Sequence, residues 1–211
     1  LLAGFPAEVP GITVNRNCSS ALGAVNLAAR SILSGEGDLY IGSGVESMSR
    51  APWSMPKPLK TPTTEPPKIY DTTVGWRYEN PKMNELYPII SLGEGAELIA
   101  EDMQITREEQ DSFALESHAR AIAAINNGRF KDEIIAVTVP QRKGKTRVID
   151  TDEHPRFERT NGHLDIAIDM EALGKLRPAF KKDGSVTAGN SSGINDGAAA
   201  LLMSSRLKAD D

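Results

Sequence analysis

Apolar positions along this 211-residue chain change period several times, and each change marks an element. From Leu22 they recur at Val25, Ala28 or Ala29, Ile32 and Leu33, a helical spacing that buries one face of a run ending near Ser34. Gly35 and Gly37 stop that helix, and Leu39-Tyr40-Ile41 reads as a short buried strand. The texture then breaks. Pro52, Pro56, Pro58, Pro62, Pro66, Pro67, Pro81 and Pro88 leave no room between residues 51 and 88 for a long helix or a central strand. Trp53, Tyr70, Trp76 and Tyr78 interleave with these prolines, which sets the stretch apart from a plain linker. A helix is expected over residues 94–103. A second, Ala-rich helix opens at Thr106, whose spacing to Glu109 fits a capping box, and runs to about Asn127 before Gly128 closes it. Residues 134–139 read as a strand, 141–147 as a basic hairpin tip and 148–150 as its return. Residues 155–169 are poorly patterned, 171–176 suit a short helix, and 198–203 read as a buried strand. No internal repeat is visible.

Charge removes several function classes. Twenty-nine acidic against 24 basic residues leave a net charge of −5, so no global field draws nucleic acid or a membrane surface. No apolar run approaches a membrane span, so membrane insertion is not expected. A hydrophobic share of 39% is compatible with a packed core in one or two domains. The single cysteine excludes an internal disulfide and suits a reducing compartment such as the cytoplasm. Leu1-Leu2-Ala3-Gly4 carries neither an initiator Met nor a charged, cleavable leader, an opening expected of a piece of a longer chain.

That cysteine, Cys18, is the leading chemical candidate. Thr13-Val14-Asn15-Arg16-Asn17 passes from a β-like segment toward the first helix, which predicts Cys18 in the helix's first turn. Unsatisfied N–H groups and the positive end of the helix dipole favour the thiolate form there, the form that serves covalent catalysis. A small buried hydrophobe is the alternative reading of a lone cysteine. The other candidates are weaker. His118, His154 and His163 read as surface or capping residues, and Glu46, at a strand end, as a polar anchor rather than a catalytic carboxylate. Lys143, Lys145 and Arg147 fit a solvated hairpin tip, whereas Arg177, Lys181 and Lys182 could meet phosphate. No Cys/His metal spacing, Walker loop or dinucleotide fingerprint is present, and Gly42-Ser43-Gly44 lacks the rest of one.

Val14-Asn15-Arg16-Asn17-Cys18-Ser19-Ser20-Ala21-Leu22-Gly23-Ala24-Val25 resembles the acyl-cysteine signature of the thiolases. The run from Asp38 through Gly42-Ser43-Gly44-Val45-Glu46-Ser47-Met48-Ser49 resembles the family's next segment. Leu176-Arg177-Pro178-Ala179-Phe180 and Thr187-Ala188-Gly189-Asn190-Ser191-Ser192-Gly193-Ile194-Asn195-Asp196-Gly197 follow in order. The resemblance implies part of the N-terminal half of a five-layered α-β-α-β-α fold, with residues 1–50 in the nucleophile domain, 51–182 in an inserted α+β loop domain, and 183–211 returning to the first. It implies acyl transfer between coenzyme A and Cys18, with no permanently bound cofactor, CoA and acyl-CoA as partners, and a homodimer or homotetramer joined through the proline- and aromatic-rich arm. The family's second half, with a Gly-His-Pro histidine and a second cysteine, is expected outside this sequence, leaving the fragment inactive alone. A ketoacyl-synthase-type condensing enzyme, or a catalytically dead domain that binds CoA or lipid, are the alternatives. Against the first, the inserted loop domain and the Gly-Ile-Asn-Asp-Gly-Ala-Ala-Ala stretch look thiolase-like.

By the same resemblance, the Cys18 backbone N–H is one oxyanion donor, with its partner in the other half. Loss of one such donor costs about 2.7–4 kcal/mol of barrier lowering. Ala188 and Ser192 match the residues that meet the pantetheine arm, and Phe180 an aromatic near the nucleotide. Leu92 of Ser91-Leu92-Gly93 stands where many thiolases read His-Met-Gly, forming an apolar wall without the imidazole. Asp165 aligns where some members carry a phosphate-binding Arg, an opposite charge.

Overall fold

A computed structural model describes residues 2–58 and 66–210; Pro62 of the proline-rich stretch lies outside the described residues. In chain order the elements are α1 (Ser20–Leu33), β1 (Leu39–Glu46), β2 (Trp53–Ser54), β3 (Tyr70–Asp71), α2 (Pro81–Leu86), α3 (Leu92–Asp102) and α4 (Arg107–Asn126). They continue with β4 (Val137–Pro140), β5 (Thr146–Ile149), β6 (Phe157–Thr160), β7 (His163–Ile166), α5 (Met170–Gly174), β8 (Gly197–Ser204) and α6 (Arg206–Ala209). The chain divides into two compact units, Leu1–Pro52 with Asn195–Asp211, and Trp53–Ile194.

In the first unit β1 and β8 pair antiparallel, from Leu39 opposite Ser204 to Glu46 opposite Gly197. Helix α1 lies on the face that carries Gly42 and Gly44, with Ala28 buried and Val25, Ala29 and Ile32 half-buried, whereas Leu22 and Leu33 of the predicted stripe are exposed. Glycine is needed on that face. A Cβ at Gly44 would stand 2.6 Å from the Ala21 Cβ, and one at Gly42 2.9 Å from a Val25 methyl. The opposite face is bare: Val45 is 78% and Leu202 70% exposed, with Leu39 and Ile41 beside them. The expected buried strands at 39–41 and 198–203 are therefore present but longer and largely exposed. Successive strand residues face opposite sides, and among the described residues only one side carries a helix.

In the second unit α4 is the frame. Thr106 and Glu109 form the expected capping box. At the helix's start Arg107 donates to the Leu173 carbonyl at 2.6 Å and to Asp111 at 2.7 Å. At its end the Asn126 side chain both donates to the Leu164 carbonyl (2.8 Å) and accepts from the Leu164 N–H (3.0 Å). Ile122, Leu164, Leu173, Val186 and Ala100 make the buried core. The 155–169 stretch, which has no evident pattern, is a hairpin of β6 and β7 turned by Asn161 and Gly162 at φ 52° and 85°. Asn-Gly between two short apolar runs is the signal for such a turn.

His118, midway along α4, accepts the Arg156 N–H at 3.4 Å and lies 5.9 Å, ring to ring, from His154. Burial, then the nearby His154 and Arg156 charges, hold His118 below the usual histidine range. The folded state thus favours neutral His118. Its contribution is complete above about pH 6.5 and is lost as pH falls below that value. Thermal melts are expected to show stability declining on acidification through this window, and His118→Gln to flatten that part of the profile.

Candidate active site

Cys18 sits on a tight turn ahead of α1. Asn17 takes a left-handed φ of 50°, and its N–H donates to Asn15 Oδ1 at 3.1 Å. The Ser20 hydroxyl donates to the Asn17 carbonyl at 2.6 Å and accepts the Arg16 N–H at 2.8 Å. Ser19 and Ser20 N–H groups donate back to the Arg16 and Asn17 carbonyls at 3.1 and 3.0 Å. These bonds fix the helix start at Ser20, with Ser19 as N-cap. Cys18 is therefore one residue before the cap, not inside the first turn as expected. Ser19 makes no side-chain cap bond, and Cys18 is exposed as a free thiol. Cys18 is not among the buried residues of this structure.

Glu46 is exposed at the end of β1. The polar anchor of that corner is Asp196 instead, which accepts the Ser49 N–H at 2.8 Å and binds the Ser49 hydroxyl. The Ser49 hydroxyl, then its N–H, hold the Asp196 carboxyl below the usual range against a small opposing effect of burial.

In the second unit the remaining candidates gather around the 187–192 turn. The Pro178 segment bridges Thr187 in antiparallel fashion, and Ala179 N–H donates to the Val186 carbonyl at 2.9 Å, which brings Phe180 alongside that turn. Phe180, 41% exposed, presses its ring against Gly93, where a Cβ would stand only 2.3 Å from ring carbons. Leu92, 89% exposed, is the next residue, at the start of α3. Ala188 and Ser192 are exposed on the turn itself. Gly93→Ala is expected to force the Phe180 ring aside and to lower stability by about 1–3 kcal/mol, read from the urea midpoint.

The inside of the turn is fastened by residues with no evident role in the sequence alone. Glu97, only 3% exposed, accepts N–H bonds from Ser185 (2.9 Å) and Val186 (2.8 Å) and the Ser185 hydroxyl at 3.1 Å. Burial would raise its pKa, but the Ser185 and Val186 N–H bonds, the Ser185 hydroxyl and the Lys181 charge outweigh it and leave the carboxyl below its ordinary value. Asn190 accepts the Thr187 N–H at 2.7 Å and donates to buried Asp111 at 2.9 Å and to the Ser185 carbonyl at 3.1 Å. Ser91 caps α3 through a reciprocal capping box with Glu94. Of the basic candidates, Lys181 pairs with Glu101 and Arg147 with Glu153.

A family model described as thiolase, N-terminal domain, matches residues 1–207. The chain belongs to the thiolase family. A beta-ketoadipyl-CoA thiolase of Acinetobacter baylyi is 52% identical over 205 residues, covering 97% of this thiolase chain and 49% of that protein. The 3-oxoadipyl-CoA/3-oxo-5,6-dehydrosuberyl-CoA thiolase of Escherichia coli is 45% identical over 209 residues, covering 99% and 50%. The crystal structure of the acetyl-CoA acetyltransferase of Bacillus anthracis superposes with a TM-score of 0.81 at 40% identity, covering 99% of this chain and 49% of that one. The fold is thiolase-like α/β, and the chain spans about half the length of the curated relatives it matches.

Proposed function

We propose that this chain is the nucleophile-bearing portion of a thiolase that exchanges acyl groups between coenzyme A and Cys18. The observation that carries the reading is the exposed thiol on a hydrogen-bonded turn directly before α1, within the Asn-Arg-Asn-Cys-Ser-Ser-Ala run. In the thiolytic direction Cys18 Sγ attacks the 3-oxo carbonyl of a 3-oxoacyl-CoA, acetyl-CoA leaves, and free CoA takes the acyl group from the cysteine. The Cys18 N–H is one donor to the developing oxyanion. Leu92, Phe180, Ala188 and Ser192 hold the CoA arm, so acyl carrying and CoA holding fall to different units. Residues 53–194 take the part of the inserted loop domain. Residues 183–194, which the resemblance assigns to the returning segment, are counted here with the inserted domain, because Glu97 accepts the Val186 N–H and Asn190 donates to Asp111.

Relatives named for beta-ketoadipyl-CoA make that thioester the first substrate to assay. The complete enzyme is expected to cleave it in the presence of CoA, while the 211-residue chain alone does not turn over. Failure of the complete enzyme to cleave any 3-oxoacyl-CoA contradicts the reading. The assembly proposed is a homodimer or homotetramer. Trp53, in the β2–β3 pair, and Trp76, whose indole N–H donates to the Ile90 carbonyl at 2.7 Å, are exposed. Sedimentation of the complete enzyme is expected to give the mass of a dimer or tetramer; a monomer contradicts this.

A further inference from the structure

The turn that carries Ala188 and Ser192 is fastened from behind by a side chain outside that surface, Arg107 at the first position of α4. Its guanidinium works in two directions. Nε donates to Asp111 Oδ2 at 2.7 Å, and Nη2 donates to the Leu173 and Leu176 carbonyls at 2.6 and 3.2 Å. Both branches end on the turn.

On the first branch Asp111, 2% exposed, uses its other oxygen to accept Asn190 Nδ2 at 2.9 Å. The same Nδ2 donates to the Ser185 carbonyl at 3.1 Å, and Asn190 Oδ1 accepts the Thr187 N–H at 2.7 Å. Both amide protons and the amide oxygen are engaged, so the Asn190 side chain has one orientation and closes residues 187–190 into a set loop. On the second branch the Leu173 and Leu176 side chains floor the turn beneath Gly189. A Cβ there would stand 2.6 Å from Leu173 Cδ2 and 2.5 Å from Leu176 Cδ1. Thr187 and Gly189 are buried against this support, while Ala188 and Ser192 stay exposed. Grip and floor are tied together by the Arg107 fork.

We propose that Arg107 is a positioning residue for coenzyme A, on the reading that Ala188 and Ser192 hold the CoA arm. It acts through Asp111 and Asn190 and through the two leucines, not by contact with the ligand. A planar guanidinium reaches a carboxylate and two carbonyls at once, whereas an ammonium is a point charge. A turn set before CoA arrives spares binding the cost of ordering it, so loosening the turn weakens CoA without touching the chemistry at Cys18.

The test is steady-state thiolysis by the complete enzyme carrying Arg107→Lys, which keeps a cation beside Asp111 but loses the fork. Arg107→Gln, which keeps donors but no charge, is the second variant. Each is expected to raise KM for CoA at least about tenfold with kcat nearly unchanged. Iodoacetamide should label Cys18 at the wild-type rate, and circular dichroism should be unchanged. Asn190→Ala is expected to raise the same KM, and with Arg107→Lys to raise it by less than the product of the two effects. A fall in kcat at constant KM in both Arg107 variants marks a merely structural role and overturns the proposal. Unchanged KM in both, while Ser192→Ala and Phe180→Ala raise it, overturns the positioning role alone. Unchanged KM in Ser192→Ala and Phe180→Ala as well removes the CoA surface itself, and the proposal with it.

Discussion

Cys18→Ser in the complete enzyme is expected to lower acyl transfer by at least about 10⁴-fold, the scale on which removal of a covalent nucleophile acts elsewhere. A hydroxyl in place of the thiol keeps the size of the side chain and leaves the surrounding turn intact, because no bond in that turn uses the sulfur. Ser20, Asn17, Asn15 and Arg16 hold it through their own backbone and side-chain groups. Stability should therefore be unchanged, and the loss should fall on turnover. Iodoacetamide labelling of the 211-residue chain gives a companion readout: the wild type alkylates at Cys18, and Cys18→Ser takes up no label. A variant with near-normal turnover would remove the nucleophile from the mechanism.

The second large effect is structural. Glu97→Ala strands the Ser185 and Val186 N–H groups and the Ser185 hydroxyl, all now bound to one buried carboxylate. A buried donor left without a partner costs about 1–3 kcal/mol, so roughly 3–5 kcal/mol is expected in total, with Ser185 regaining part of its hydration. The loss concentrates on the 184–192 segment, since the Glu97 carboxylate packs against Gly184, where a Cβ would sit 2.3 Å from Glu97 Oε1. Urea unfolding gives the total. Hydrogen exchange at Ser185 and Val186 gives the location, and unchanged protection there would refute the assignment. Because the folded carboxyl lies below its ordinary value, Glu97's contribution is complete above about pH 4.3 and is lost as pH falls through the folded value. Glu97→Ala should remove its own share of this acid limb, leaving that of Asp196 and the His118 limb in place.

Local signals in the sequence were legible and distant ones were not. Thr106 and Glu109 declare a helix start because the two partners stand three residues apart, and both halves of that box are formed. The same spacing at Ser91 and Glu94 carries the second capping box. Asn161-Gly162 likewise carries its hairpin openly within a stretch that otherwise lacks a periodic pattern. Glu97 could not be read this way. Its partners lie 88 and 89 positions away, and only tertiary packing brings them to it. Exposure of β1 and β8 was also out of reach of periodicity, which assigns faces to a strand but not what covers them. The one-residue offset at Cys18 follows from the left-handed Asn17, a conformation that Asn tolerates without announcing.

Peptide mapping of the complete enzyme after brief exposure to acetyl-CoA without a second acyl acceptor tests the central claim most directly. The account predicts a thioester-linked acetyl group on the peptide that contains Cys18, released when free CoA is added. Acetylation confined to any other residue, or an unmodified Cys18 in an enzyme that turns over, would contradict it.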